Sequence, residues 1–198
     1  MKRWLGTLLQ VALALAAGLG SAWWLLTRGS NFGDAAGPWR VSLLAGSADA
    51  DLYTRARVAI GGLLALNRQE TMYYLASTDS AGAPLRSRCS YRVSGVPPPA
   101  RWWSVTAYAD DYFLFPNEAR RYSVNGATAR LDAGGRFSFV SAPQQPADPS
   151  SDGGAMLWLP TPGDRGLLFT LRAYNPAQGL AAAPSSLVAP SIERLGNC

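Results

Sequence analysis

Ala100 to Gly126, ARWWSVTAYADDYFLFPNEARRYSVNG, holds seven aromatic residues: Trp102, Trp103, Tyr108, Tyr112, Phe113, Phe115 and Tyr122. Its first part has a period of two. Trp103, Val105 and Ala107 alternate with Trp102, Ser104, Thr106 and Tyr108. This is the pattern of a strand with one face in a core. Asp110-Asp111 then reads as a turn, and Tyr112 to Phe115 as an apolar run stopped by Pro116. Arg121 to Val124 reads as a further strand closed by Asn125-Gly126.

The same rhythm extends outward. Thr71 to Ser77 reads as a strand, with a turn at Asp79 to Gly82. Leu85 to Ser94 alternates Arg86, Arg88, Ser90, Arg92 and Ser94 against Leu85, Cys89, Tyr91 and Val93, with Ser87 interrupting the apolar side. Downstream, Arg136 to Val140, Met156 to Leu159 and Leu167 to Tyr174 are strands. In the last, Thr170, Arg172 and Tyr174 oppose Leu167, Phe169, Leu171 and Ala173. The tail has a short apolar stretch near Ile192. About seven or eight short strands with frequent turns predict a mainly β domain, an antiparallel β-sandwich or jelly-roll.

One amphipathic helix precedes the strands, from about Ala50 to Leu66, with Leu52, Ala56, Ala59, Leu63 and Leu66 on one face. It either packs on the sheet or lies against a partner or membrane surface. Before it, residues 28–46 read as a linker and 47–198 as the β domain.

Residues 1–27 read as a membrane anchor. Trp4 to Leu26 is 23 residues without a charge. As a helix this spans roughly 34 Å, enough for a hydrocarbon core of about 30 Å. Lys2 and Arg3 precede it and Arg28 follows it. The positive-inside bias puts the N-terminus in the cytoplasm and the domain outside. A cleaved signal peptide ending at Gly20-Ser21-Ala22 is the competing reading, opposed by the apolar run continuing through Trp23-Trp24-Leu25-Leu26.

Composition excludes several chemistries. The sequence has no histidine, and its one lysine is Lys2. A Ser-His-Asp or Cys-His site, a His-containing metal site and a Schiff-base lysine in the domain are ruled out within this chain. From Arg28 onward there are 16 Arg and 13 acidic residues, a net charge of +3. That is mild for a nucleic-acid binder, and no nucleic-acid motif accompanies it. No cofactor or metal is expected. Cys89 and Cys198 are the two cysteines. Outside the cytoplasm an even pair favours a disulfide; an acylated or reactive thiol is the alternative.

Five blocks in order carry a family resemblance: Trp102 to Tyr108; Asn117 with Arg121-Tyr122-Ser123; Asp132-Ala133-Gly134-Gly135; Trp158-Leu159-Pro160-Thr161-Pro162; and Arg172-Ala173-Tyr174-Asn175-Pro176. Over roughly residues 67–195 the chain resembles the family catalogued as domain of unknown function 1214. The resemblance implies a jelly-roll-like β-sandwich; together with the N-terminal anchor, the expectation is a membrane-anchored bacterial envelope protein, held in the inner membrane with its main domain periplasmic. It implies no reaction. Leu157 stands where the family carries an Asn before Trp-Leu-Pro, and the partner domain that precedes many relatives is replaced by the anchor and one helix.

Candidate ligand-binding residues are Asn117, Arg121, Tyr122, Trp158, Arg172 and Tyr174. Arg121 and Arg172 converging on Trp158 would make a cation-plus-aromatic site for a carboxylate, phosphate or sugar. The structural alternative is that both arginines hold loops. Arg86, Arg88 and Arg92 form a row that either holds an anion or is a solvated face. Asp110-Asp111 reads as a turn rather than a dyad, and Asp148 with Asp152 as a loop rather than a calcium site. The expected function is a non-enzymatic envelope module binding a small anionic or sugar ligand or an envelope protein, with the bilayer engaged by residues 4–26. An envelope enzyme acting on a glycan through Asp/Glu with Arg and Tyr support is the alternative.

Overall fold

The computed structural model describes residues 2–28, 34–41, 44–60, 65–146, 157–196 and 198. The first helix, α1 (Lys2–Arg28), contains the apolar span Trp4–Leu25, long and apolar enough to cross a membrane. Beyond it the chain is mainly β. One sheet of six strands comprises β1 (Asp34–Ala36), β2 (Trp39–Val41), β3 (Thr71–Ala76), β5 (Ala100–Ala109), β6 (Ser123–Asn125) and β9 (Leu167–Pro176), in the order β1-β2-β3-β9-β5-β6. A four-stranded sheet is ordered β10-β4-β7-β8, from β4 (Ser90–Gly95), β7 (Phe137–Ala142), β8 (Leu157–Pro160) and β10 (Ser191–Leu195).

All named pairs are antiparallel except β7 with β8. Parallel neighbours need a long crossover. The intervening residues 143–156 supply the length.

One core joins the sheets. Met72, Tyr74, Val105, Phe169 and Leu171 from the larger sheet cluster with Tyr91, Val93, Phe137, Phe139 and Ile192 from the smaller. Trp103 stacks on Phe137 with ring centroids 4.6 Å apart, and Phe139 meets Phe169 edge-on at 6.4 Å. These pairs cross from sheet to sheet and fix which face of each strand is inward. Truncating one such ring to Ala typically costs about 3–5 kcal/mol.

Several boundaries differ from the sequence expectation. Residues 34–41, read as linker, form the β1–β2 hairpin around Gly37-Pro38 and extend the larger sheet. Trp39 is fully buried there. Strands of three residues are too short to show a period. The strand expected at Leu85 starts at Ser90 because the chain turns at Ser87, whose buried hydroxyl donates to the Gly163 carbonyl and accepts from the Arg165 N–H. Tyr112 adopts φ 65° in a tight turn, leaving Leu114 only an isolated bridge to Tyr108.

The amphipathic helix is α2 (Leu52–Ile60). Asp51 caps it, accepting from the N–H groups of Tyr53 and Thr54 and from the Thr54 hydroxyl. These bonds hold the Asp51 carboxyl below the usual aspartate range, the Thr54 hydroxyl contributing most. Residues 61–64 of the expected helix lie outside the described residues. The element that α2 touches most is α1 rather than either sheet. Its apolar positions Leu52 and Ile60 are exposed, so the expectation of packing on the sheet is corrected.

Cys89 and Cys198 form a disulfide with Cα atoms 4.9 Å apart. It closes the C-terminus onto the turn that precedes β4.

Candidate functional site

The strand register of β3, β9 and β5 decides what the outer face of the larger sheet presents. Arg172 of β9 lies opposite Tyr73 of β3 on one side and Ser104 of β5 on the other. The next row is Leu75, Thr170 and Thr106; the row before is Thr71, Tyr174 and Trp102. Residues paired across a sheet point to the same side. Inward neighbours such as Leu171, Ala173 and Val105 fill the core, so this row of side chains faces away from it.

Arg172 is half-buried in the middle of this face. Its guanidinium donates to Thr106 Oγ1 at 3.2 Å and to the Tyr108 hydroxyl at 3.1 Å. The same group lies over two rings, 5.5 Å from the Tyr108 centroid and 5.9 Å from Tyr73. Those are cation–π distances. Among the described residues no carboxylate pairs with it. A guanidinium has five N–H donors; two are used here by neutral hydroxyls. The result is a positioned cation with spare donors on a floor of buried Thr71, Thr106 and Thr170.

The other arginines contrast with it. Arg86 and Arg88 both pair with Asp164, and Arg92 stands 3.8 Å from Glu193. Each arginine of the expected row therefore has a carboxylate partner, with Arg86 and Arg88 sharing one. Asp164 is held below the usual aspartate range, chiefly by the Arg86 hydrogen bond. Asp110 and Asp111 both face Arg165, and Asp111 also accepts from the Phe113 N–H, which is the largest cause of its lowered pKa. Those two carboxylates serve a turn. Asp148 and Asp152 lie outside the described residues.

The six expected site residues do not converge. Trp158 pairs with Val140 of β7, which pairs with Arg92 of β4: the outer face of the smaller sheet. Arg172 is on the outer face of the larger sheet, so the core separates the two. Trp158 Nε1 donates to the Ala142 carbonyl at 3.0 Å. Asn117 closes its own loop, donating to the Phe115 and Arg121 carbonyls and accepting from the Arg121 N–H. Arg121 is exposed, and Tyr122 is half-buried with its carbonyl accepting from the Ala107 N–H. These two lie at the sheet edge, where β6 pairs with β5. Tyr174 does share the face of Arg172, two residues along β9.

Tyr73, Ser104, Thr106 and Tyr108 were missing from the expected set. The alternation already placed Thr106 with Tyr108, and Thr170 with Arg172. What joins those two faces is the pairing of β5 with β9, which no local pattern encodes. Hollows of about 420 Å³ beside Arg68 and Pro176, and of about 540 Å³ beside Asp79 and Arg194, lie elsewhere on the surface.

The family model described as "Protein of unknown function (DUF1214)" matches residues 70–178, more than half of the chain. The chain belongs to this family. The DUF1214 match includes every residue of the Arg172 cluster. The β1–β2 hairpin, α2 and β10 fall outside it. The crystal structure of VPA0106 from Vibrio parahaemolyticus is similar to this DUF1214 chain at 20% identity and TM-score 0.60, over 91% of this chain and 43% of that one. The likeness shows the fold alone, and this chain spans less than half of the Vibrio chain. An uncharacterized protein from Burkholderia cenocepacia aligns with a TM-score of 0.43 at 20% identity, covering 63% of this chain and 29% of that one. No curated protein matches the chain.

Proposed function

We propose that this DUF1214 chain is a single-pass protein of the bacterial inner membrane whose periplasmic, jelly-roll-like β-sandwich binds an anionic group at Arg172. The observation that carries the reading is the state of that arginine: ordered by two hydroxyls and two tyrosine rings, with no carboxylate partner among the described residues. A carboxylate or phosphate accepts two parallel N–H bonds from a guanidinium, gaining both strength and geometry. Tyr108, Tyr174 and Trp102 around it suit the flat faces of a sugar or the apolar part of a small acid. The ligand class is thus a small anion or acidic sugar, free or carried by an envelope protein.

Two features support placement outside the cytoplasm. The disulfide is stable in an oxidising compartment. Lys2 and Arg3 precede the apolar span, and Arg28 follows it. Two sheets that contribute to one core support the sandwich description.

The test is mass spectrometry of what co-purifies with the full chain, followed by titration with inorganic phosphate and glucuronate. Binding by the native chain that is lost in Arg172→Ala supports the reading. Equal binding by both chains overturns it. A reporter enzyme fused after Cys198 and active only outside the cytoplasm supports the topology; activity inside refutes it.

A further inference from the structure

The helix α2 carries a face that nothing in the described structure covers. Leu52 is 81% exposed, Ile60 65% and Tyr53 41%; Ala59 is exposed and Ala56 half-exposed. On a helical wheel these five fall within an arc of about 120°, while Thr54, the one buried residue of the helix, lies on the opposite side. The most exposed side of the helix is therefore its apolar one. The apolar stripe points away from the core.

The position of α2 identifies the occupant. It touches α1. Along α1, every described side chain from Trp4 to Ser21 is exposed, whereas Ala22 and Leu25 are partly covered. This places the contact in the last turns of the apolar span, where that helix would leave a bilayer. The chain reach is short as well. Residues 29–33 separate α1 from β1, at most about 20 Å of extended chain. The exposed basic residue of α2 is Arg55, on the flank of the apolar stripe, while Asp51 caps the N-terminus. The Arg55 guanidinium donates to the Ala48 and Ala50 carbonyls, while the enclosed Arg57 guanidinium has no acceptor among the described residues.

We infer that α2 lies in the interface of the membrane that α1 crosses, its Leu52, Tyr53, Ala56, Ala59 and Ile60 face seated among the lipid headgroups and upper acyl chains. An apolar face combined with basic residues is the composition of helices that lie on a bilayer. The occupant is the lipid surface, and the consequence is a domain with a set orientation rather than one swinging on a tether. The inference rests on the reading that α1 spans the bilayer.

The experiment uses the full chain in vesicles of phosphatidylethanolamine and phosphatidylglycerol, with single sites Leu52→Cys, Ile60→Cys, Arg55→Cys, Asn125→Cys and Leu13→Cys carrying a bimane label. The native disulfide leaves Cys89 and Cys198 unlabelled. Lipids brominated along the acyl chain quench the label on contact. Labels at 52 and 60 are expected to be quenched about threefold more than those at 55 and 125, in line with shallow burial of one helix face. If the label at 13 is quenched and those at 52 and 60 match that at 125, the inference is overturned while the spanning helix stands. If the label at 13 escapes quenching, the spanning reading fails and this inference falls with it.

Discussion

Trp39 donates its indole N–H to the carbonyl of Pro190 at 2.7 Å, a bond between residues 151 positions apart. Trp39 belongs to the larger sheet, and Pro190 leads directly into β10 of the smaller one. A second bond runs the same way, from the Tyr74 hydroxyl to the Pro184 carbonyl at 2.9 Å. Gly95 makes the approach of Pro190 feasible, since a Cβ at that position would lie 2.8 Å from Pro190 Cα. The N-terminal hairpin and the C-terminal segment thus lock each other across the two sheets.

Trp39→Phe is expected to destabilise the folded chain by about 1–3 kcal/mol, because the Pro190 carbonyl loses its donor in a buried place. Trp39→Ala removes the ring as well and is expected to cost about 3–5 kcal/mol. Urea unfolding of the full chain in nanodiscs, followed by tryptophan-independent circular dichroism, measures both. Equal stability of Trp39→Phe and the native chain would show that water replaces the bond.

Arg172 offers a test that separates binding from structure. Arg172→Lys keeps the charge but loses the planar fork, so affinity for phosphate or glucuronate is expected to fall about tenfold, or ~1.4 kcal/mol. Thr106→Val removes one of the two hydroxyls that orient the guanidinium and is expected to weaken binding by less. Loss of both ring contacts in Arg172→Ala is also expected to lower stability by about 1–2 kcal/mol without any ligand. Calorimetric titration and thermal unfolding read the two effects independently.

The face that carries Arg172 was half legible in the sequence. Period-two alternation separated core from non-core on both β5 and β9, and the burial of Trp103, Val105, Phe169 and Leu171 follows it. The neighbour relation between Thr106 and Arg172 depends on residues 66 apart and is set by sheet register. Trp158 and Arg172 each sit in a family block, yet linear order says nothing about which outer face a strand presents. Their separation was invisible until the two sheets were assigned. The N-terminal hairpin was lost for a different reason: strands of three residues carry no measurable period, and Trp39 is their one strong apolar signal. The disulfide was readable because two cysteines permit one intrachain pairing.

Acid is expected to lower the stability of the domain modestly through exposed ion pairs. Asp164 is held below its usual value by Arg86 and then Arg88, and Asp111 by the Phe113 N–H and Arg165. Depressed folded-state values mean that these carboxylates contribute stability above the unfolded value of about 3.9 and lose it as pH falls through the folded value. The unfolding midpoint should be flat from neutrality to about pH 5 and drop below about pH 4. In Asp164→Asn the drop should be shallower, because one proton-linked group has been removed. A profile of the same steepness in the variant would show that the Arg86–Asp164 pair is fully screened.

Reducing the Cys89–Cys198 disulfide tests how far the C-terminal strand depends on its covalent tether. The bridge spans a sequence separation of 109. Loop-closure entropy for a loop near that size gives an upper figure of about 4–5 kcal/mol, and measured losses commonly reach about 2–4 kcal/mol. Arg194 supplies the non-covalent hold on the same strand. It donates to the Pro84 carbonyl, lies over the Tyr91 ring and stands 3.5 Å from Asp79. Ile192 adds a fully buried side chain, an N–H that donates to the Ser80 hydroxyl and a carbonyl that accepts from the Ser80 N–H. The double variant Cys89→Ala/Cys198→Ala is therefore expected to keep β10 paired and lose stability uniformly, with unchanged circular dichroism before the transition. Hydrogen exchange of the Ile192 and Glu193 amides distinguishes this from local fraying. Protection falling in step with global stability fits a tether acting on the unfolded chain, whereas selective loss at β10 would mean that the bridge itself holds the strand in place.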